Sequence, residues 1–240
     1  MIFLAHFIKR IKSFFNMTKK TDAGPQLSYA QSGEDLITDF IFRAMQVESP
    51  SYLDIGAHHP TYLSNTYFFY KNGSSGVCIE PDPELYAEIK KKRKNDLCIN
   101  AGIGMDSASE ADFYIMSTRT LNTFSKTEAE RYQSYGRQVI EKVVKIPLMT
   151  INDILDDFID KRLNFVSLDV EGIDYEIIKA FDFSKQRPEV FCIETITYTE
   201  DNSEQKECQI IEYMLEQGYM VYADSYINTI FVDKEKWKNR

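Results

Sequence analysis

Residues 52–66 read YLDIGAHHPTYLSNT, a stretch that begins as a buried strand and stops abruptly. Tyr52, Leu53 and Ile55 are apolar, yet Asp54 sits among them, Gly56 and Ala57 follow at once, and His58 and His59 come next. A carboxylate inside an apolar strand costs several kcal/mol unless something pairs with it. The strand therefore ends at something that Asp54 serves.

The flanking sequence says what kind of sheet this strand belongs to. A helical pattern at about 33–46 precedes it, and a second helical stretch leads to GVCIE at 76–80. A third helix, PELYAEIKKKRKN, leads to LCINAGIG at 97–104; NFVSLDVEG at 164–172 and EVFCIET at 189–195 read as two more buried strands. Strand and helix in alternation predict parallel βαβ units and a doubly wound, mostly parallel α/β sheet. TINDIL starts a helix, with Thr150 as cap and Asp153 three residues on, close to a capping box. A helix at about 203–217 is followed by GYMVYAD and NTIFVD, which predict an antiparallel pair closing one edge. Between about 107 and 147, ADFYIM and QVIEKVVKIPL predict strands around a polar stretch placed as a lid or acceptor-side insertion. The expected organisation is a basic helix and linker over 1–26 and one domain over 27–240.

In an open parallel sheet, ligands bind beyond the carboxyl ends of the strands. Those ends are Asp54-Ile55-Gly56-Ala57, Glu80-Pro81-Asp82, Asn100-Ala101-Gly102, Asp169-Val170-Glu171-Gly172 and Glu194-Thr195. Polar and acidic ends gathered on one rim make a site. Glu80 falls about where a dinucleotide fold places the carboxylate that holds the ribose hydroxyls. The loop GAHHP, however, lacks the several glycines a pyrophosphate needs for close backbone approach. The expected ligand has a ribose and no pyrophosphate, which S-adenosylmethionine satisfies. Asp54 would then meet the cationic end of its methionine tail, with Gly56 allowing the backbone to come near.

Composition bounds the partners. The chain has 240 residues, is 43% hydrophobic, and carries a net charge of −9, so it can bury a full core and repels nucleic-acid phosphates. Cys78, Cys98, Cys192 and Cys208 form no CxxC pair and read as reduced thiols, as in the cytoplasm. Lys9, Arg10, Lys12, Lys19 and Lys20 are unopposed by any acid in residues 1–20, and apolar residues recur there at helical spacing. That pattern suits peripheral contact with an anionic membrane surface. The other reading packs the helix on its own domain or on a second copy of the chain, as in a homodimer.

SYAQSGEDLITDFIF, YLDIGAHHPTYLSNTYFFYKNGSSGVCIEPDPELY, LNFVSLDVEGIDYEIIKAFDF and PEVFCIE, taken together and in that order, resemble the FkbM family of S-adenosylmethionine-dependent O-methyltransferases over about 28–200. The resemblance implies a seven-stranded, Rossmann-like class I methyltransferase fold and methyl transfer to a hydroxyl, often of a sugar or polyketide. It also implies that Gln31, Ser32, Gly33, Asp54, Gly56, Ala57, Asn65, Thr66, Glu80 and Asn100 border the cofactor. The family commonly has Asn where this chain has His58.

An activated methyl needs little beyond an acceptor oxygen held in line and a group to take its proton. Asp169, Glu171 and Glu194 are the acids placed for it. In one mechanism Asp169 or His58 is a general base. In the other, carboxylates including Asp169 and Glu194 hold Mg2+ or Mn2+, a hard cation that favours oxygen ligands. The expected acceptor is a small molecule or saccharide, a nucleotide-linked sugar or glycan precursor, with any phosphates turned toward Arg119, Arg131 and Arg137. The readings from other classes are an NAD-dependent oxidoreductase and a non-catalytic nucleoside-binding module.

Overall fold

The computed structural model describes residues 24–105, 110–156, 162–170, 172–196 and 205–240. The expected N-terminal helix and Glu171 lie outside them. Its elements in chain order are α1 (Glu34–Ala44), β1 (Tyr52–Ile55), α2 (Tyr67–Lys71), β2 (Gly76–Ile79), α3 (Pro83–Lys92), β3 (Leu97–Ile99), β4 (Gly102–Ile103), β5 (Glu110–Met116), α4 (Lys126–Ser134), β6 (Ile140–Met149), α5 (Ile151–Asp156), β7 (Phe165–Leu168), α6 (Asp174–Ala180), β8 (Val190–Glu194), α7 (Cys208–Glu216), β9 (Tyr219–Asp224), β10 (Asn228–Asp233) and α8 (Lys234–Lys238).

The main sheet has seven strands in the order β3-β2-β1-β7-β8-β10-β9. Strands β3 through β8 run parallel, and β10 enters antiparallel between β8 and β9. The chain crosses from β3 back past β1 to β7, so the switch point lies between β1 and β7. Here the connections diverge to opposite faces and leave a crevice.

Alternation along β1 assigns each side chain to a layer. Leu53 and Ile55 join Val166, Phe191, Ile177 and Met214 in the core under α5, α6 and α7. Tyr52 joins Ile41, Phe42, Phe69 and Phe165 under α1 and α2. All four residues of β1 are buried, as a central parallel strand requires. Each fully buried aliphatic or aromatic side chain contributes roughly 1.5–3 kcal/mol of transfer free energy.

The expected strand at 97–104 is interrupted. Asn100 Nδ2 donates to the carbonyls of Glu80 (2.8 Å) and Pro81 (2.9 Å), and the chain leaves the main sheet there. Gly102 and Ile103 pair instead with Leu148 and Met149 of β6. The insertion is thus a small sheet in the order β4-β6-β5. The Thr150–Asp153 cap forms at α5: the Thr150 hydroxyl donates to Asp153 at 2.7 Å and accepts the Asp153 amide at 3.1 Å. All four cysteines are free thiols. No helix among the described residues is long and apolar enough to cross a membrane.

Candidate active site

Asp54 has a protein partner. Arg93, the residue that ends α3, is wholly buried and places Nη1 3.5 Å from Asp54 Oδ2 and Nε 2.7 Å from Asp96 Oδ2. Its Nη2 donates to Thr66 Oγ1 at 2.8 Å, and the Thr66 hydroxyl in turn donates to Asp54. Asp96 also accepts the Tyr52 hydroxyl (2.8 Å) and the Gly76 amide (2.9 Å), while the Tyr52 and Tyr70 rings flank the guanidinium at 5.4 and 5.5 Å. Burial raises the Asp54 carboxyl above the usual carboxylate range, against the opposing pull of Arg93, Thr66 and Ser167. This network ties β1, the 56–66 loop and α3 together beneath the crevice.

Gly56 is required by geometry. Its φ is +77°, and a Cβ there would stand 1.8 Å from the Asp169 carbonyl oxygen. Both constraints exclude a side chain, so the loop after β1 and the end of β7 meet closely at the switch point.

Glu80 sits at the end of β2 and shapes the same loop. Its Oε2 accepts the His58 amide at 2.7 Å and its Oε1 the Asp82 amide at 2.8 Å. A carboxylate oxygen has two lone pairs, so each retains one, a match for the two hydroxyls of a ribose. Burial pushes the Glu80 carboxyl up to about 8, with those two amides acting against the rise.

A cavity of about 640 Å3 opens over these ends, within the range of small-molecule sites. Of the residues expected to border the cofactor, Gln31, Gly56, Asn65 and Glu80 line it. The others hold its walls from behind. Asp54 and Thr66 belong to the Arg93 network, Asn100 ties β3 to β2, and Ala57 is buried, its amide bonded to the Ile79 carbonyl at 3.1 Å. Ser32 donates its amide to Glu34 Oε2 at 2.7 Å, and Gly33, at φ +92°, caps α1.

The acceptor side is a row across neighbouring strand ends. Asp169 follows β7, Glu194 ends β8, and Asn228 of β10 is the register partner of Glu194. The Asp169 and Glu194 carboxyl groups lie within interaction range of each other on the cavity wall. Burial raises the Asp169 carboxyl, and the bond to Glu194 opposes the rise. His58, at φ +51°, also lines the cavity, and burial holds its imidazole below the usual histidine value. Among the described residues neither ring nitrogen of His58, nor Asn228 Oδ1, has a hydrogen-bond partner, although all three atoms are buried.

These features fit S-adenosylmethionine: a cavity of suitable size, a ribose-reading acid and polar wall atoms without partners. The metal expectation fares differently. Among the described residues no three His, Cys, Asp or Glu side chains gather as a metal-holding group, and Glu171, the third acid of that reading, lies outside them. No step below runs through a metal.

Sequence reasoning missed Arg93, which lies in a run of cations that reads as a solvated helix face. It also missed Asn228 and Asn122, and it turned Arg119 toward acceptor phosphates where the structure pairs it with an acid. Arg119 and Asn122 donate to Asp82 Oδ2 at 2.7 and 2.9 Å and hold the insertion against the cavity. Only the pattern of buried partners reveals them.

Numbered by their order within the sheet, the seven strands read 3-2-1-4-5-7-6 with the seventh antiparallel. With a ribose-type acid after the second strand, that is the sheet of the class I S-adenosylmethionine-dependent methyltransferases. The sequence from 54 to 221 matches the family described as the methyltransferase FkbM domain, and the chain belongs to that family. No curated protein matches it. Among solved structures it is similar to a putative caffeoyl-CoA O-methyltransferase from Staphylococcus aureus, at 10% identity and a TM-score of 0.47, covering 94% of this chain and 91% of that one. It is also similar to an O-methyltransferase from Bacillus cereus in complex with SAH, at 10% identity and a TM-score of 0.42, covering 92% and 87%. A TehB-like methyltransferase from Corynebacterium glutamicum gives 10% identity and a TM-score of 0.41, covering 96% and 99%. The fold class rests on the strand order itself.

Proposed function

We propose that this methyltransferase acts on oxygen, transferring the methyl group of S-adenosylmethionine to a hydroxyl of a saccharide. The observation that carries the reading is the row of Asp169, Glu194 and Asn228 at neighbouring strand ends on the wall of the cavity. The cofactor supplies a methyl already activated on a sulfonium sulfur. An alcohol, by contrast, is a weak nucleophile and must lose its proton as the carbon–oxygen bond forms.

Asp169 and Glu194 are the carboxyl groups placed to take that proton. They accept the hydroxyl proton as the oxygen bonds to the methyl carbon and the carbon–sulfur pair returns to sulfur, leaving S-adenosylhomocysteine. Glu80 orients the ribose, and the apolar walls from Ile103, Leu85 and Phe124 exclude water that would compete as acceptor. His58 is kept neutral by burial and is a second proton acceptor at the same wall.

Release of S-adenosylhomocysteine from hydroxyl acceptors, with calorimetry against both S-adenosylmethionine and NAD, tests the reading. Binding of NAD in place of S-adenosylmethionine would turn the function toward hydride transfer. Cofactor binding with turnover only on amines or phenols would remove the saccharide.

A further inference from the structure

A second cavity of about 590 Å3 adjoins the first and shares Ile173, Glu194 and Ile196 with it. Its other walls come from α4 and from the first turns of α6 and α7. The two spaces meet at Glu194, beside the proton-accepting pair, so a molecule filling the second cavity can present one group to the reacting row.

The charges there are one-sided. Glu128, Asp174, Glu176, Glu194 and Glu207 line the second cavity, and Arg131 is the sole Lys or Arg among its described lining residues. Arg131 is paired with an acid, Nη2 on Glu128, and bonds Tyr132; its Nε, buried out of reach, is the part of it without a partner among the described residues. In the first cavity Arg119 is likewise the sole lining cation, and it is held by Asp82 at 2.7 Å and Glu84 at 3.0 Å. Arg137 lines neither cavity. A phosphate brought to the junction meets an excess of carboxylates and, among the described lining residues, only cations already paired with acids, and like charges at close quarters select strongly against a ligand.

A separate observation points the same way. Asn228 is 4% exposed, and its Nδ2 donates to Glu34 Oε1 at 3.1 Å. Glu34 also accepts from Ser225 Oγ and from the Ser32 amide, so it takes the N–H end of the Asn228 amide. That fixes Oδ1 as the end without a donor, buried on the cavity wall. A phosphate oxygen only accepts. A hydroxyl can donate both to Asn228 Oδ1 and to the carboxylates beside it.

We propose that the second cavity is the acceptor subsite and that it takes an uncharged, hydroxyl-rich saccharide, a glycoside or the end of a glycan, to the exclusion of phosphorylated and nucleotide-linked sugars. Tyr132 and Tyr175 on its walls provide ring surface for the apolar side of a sugar. The proposal rests on the methyl-transfer reading above and replaces the nucleotide-linked alternative within it.

The test is a titration of the full-length protein loaded with S-adenosylhomocysteine. The probes are methyl glycosides of common hexoses and 6-deoxyhexoses, each beside its 1-phosphate and nucleotide-linked form, with turnover measured on the same set. At least one glycoside binds tenfold or more tightly than its phosphorylated partners. The double variant Glu176→Lys/Glu207→Lys narrows that gap at least fivefold, with wild-type affinity for S-adenosylhomocysteine reporting an intact fold; Glu176→Gln/Glu207→Gln is the milder form if reversal disturbs folding. A phosphorylated form that binds as tightly as its glycoside, a gap indifferent to both variants, or no binding by any sugar overturns the proposal. Glycoside binding without turnover keeps the subsite and removes the methyl-transfer reading. Turnover confined to phosphorylated sugars does the reverse.

Discussion

Two polar clusters lie on either side of the crevice floor, and they differ in one respect. Beneath it, Arg93, Asp54, Asp96, Thr66 and Tyr52 pair among themselves in a closed network. Above it, His58 and Asn228 keep buried polar atoms that meet no partner among the described residues. A buried polar group without a partner costs free energy that selection removes from a core unless a ligand supplies the partner. The closed cluster is therefore scaffold and the open one is site. Asp54, the oddest residue of the opening stretch, belongs to the scaffold.

The comparison is broken most severely by removing Arg93. Arg93→Met leaves the Asp54 and Asp96 carboxyls buried beside each other, and urea denaturation should show a loss of about 3–5 kcal/mol. Arg93→Lys should recover part of that loss, since it restores the charge without the fork of donors. A variant as stable as wild type would show that the floor is not held by this network.

Next in size is the acceptor row. Asp169→Asn should lower kcat by about 10²–10³ while affinity for S-adenosylhomocysteine stays within twofold and stability is unchanged or improved. Equal losses in binding and turnover would move Asp169 from proton acceptor to cofactor ligand.

Glu80→Ala should weaken S-adenosylmethionine binding by about 1–3 kcal/mol, the range for leaving buried hydrogen-bonding groups without their partner. Unchanged affinity in a folded variant would reassign the acid to holding the His58 loop alone.

The smallest effect is a slope with pH. Burial raises Glu80 from 4.5 to about 8 and Asp174 from 3.8 to about 7. Across that window the unfolded chain is ionised where the folded protein keeps the proton. Stability from these groups is full below the ordinary carboxylate range and is lost as pH rises toward about 7 and 8, at no more than about 1.4 kcal/mol per pH unit for each. Glu80→Gln should flatten the decline, so its stability relative to wild type grows between pH 5 and 8. A constant difference over that range would place the Glu80 proton elsewhere.

Much of this was legible because it is local. The continuous burial of β1, the 3.6-residue pattern of α1, the Thr150–Asp153 cap and the acid after β2 all follow from neighbouring residues, and each forms as expected. LCINAGIG misled because an apolar run does not say which strand it pairs with; Asn100 turns the chain between the two sheets.

The sequence alone determined the alternating α/β order, the polar rim at the strand ends and the nucleoside character of the ligand, since side-chain periodicity and turn chemistry act over a few residues. Tertiary structure decided which of those polar residues are satisfied. Arg93 reaches Asp54 only when the chain folds the end of α3 over the sheet, and Asn228 finds Glu34 across 194 residues of chain. The partner of a buried charge is chosen by packing, because desolvation penalises whatever is left unpaired wherever it lies in the chain.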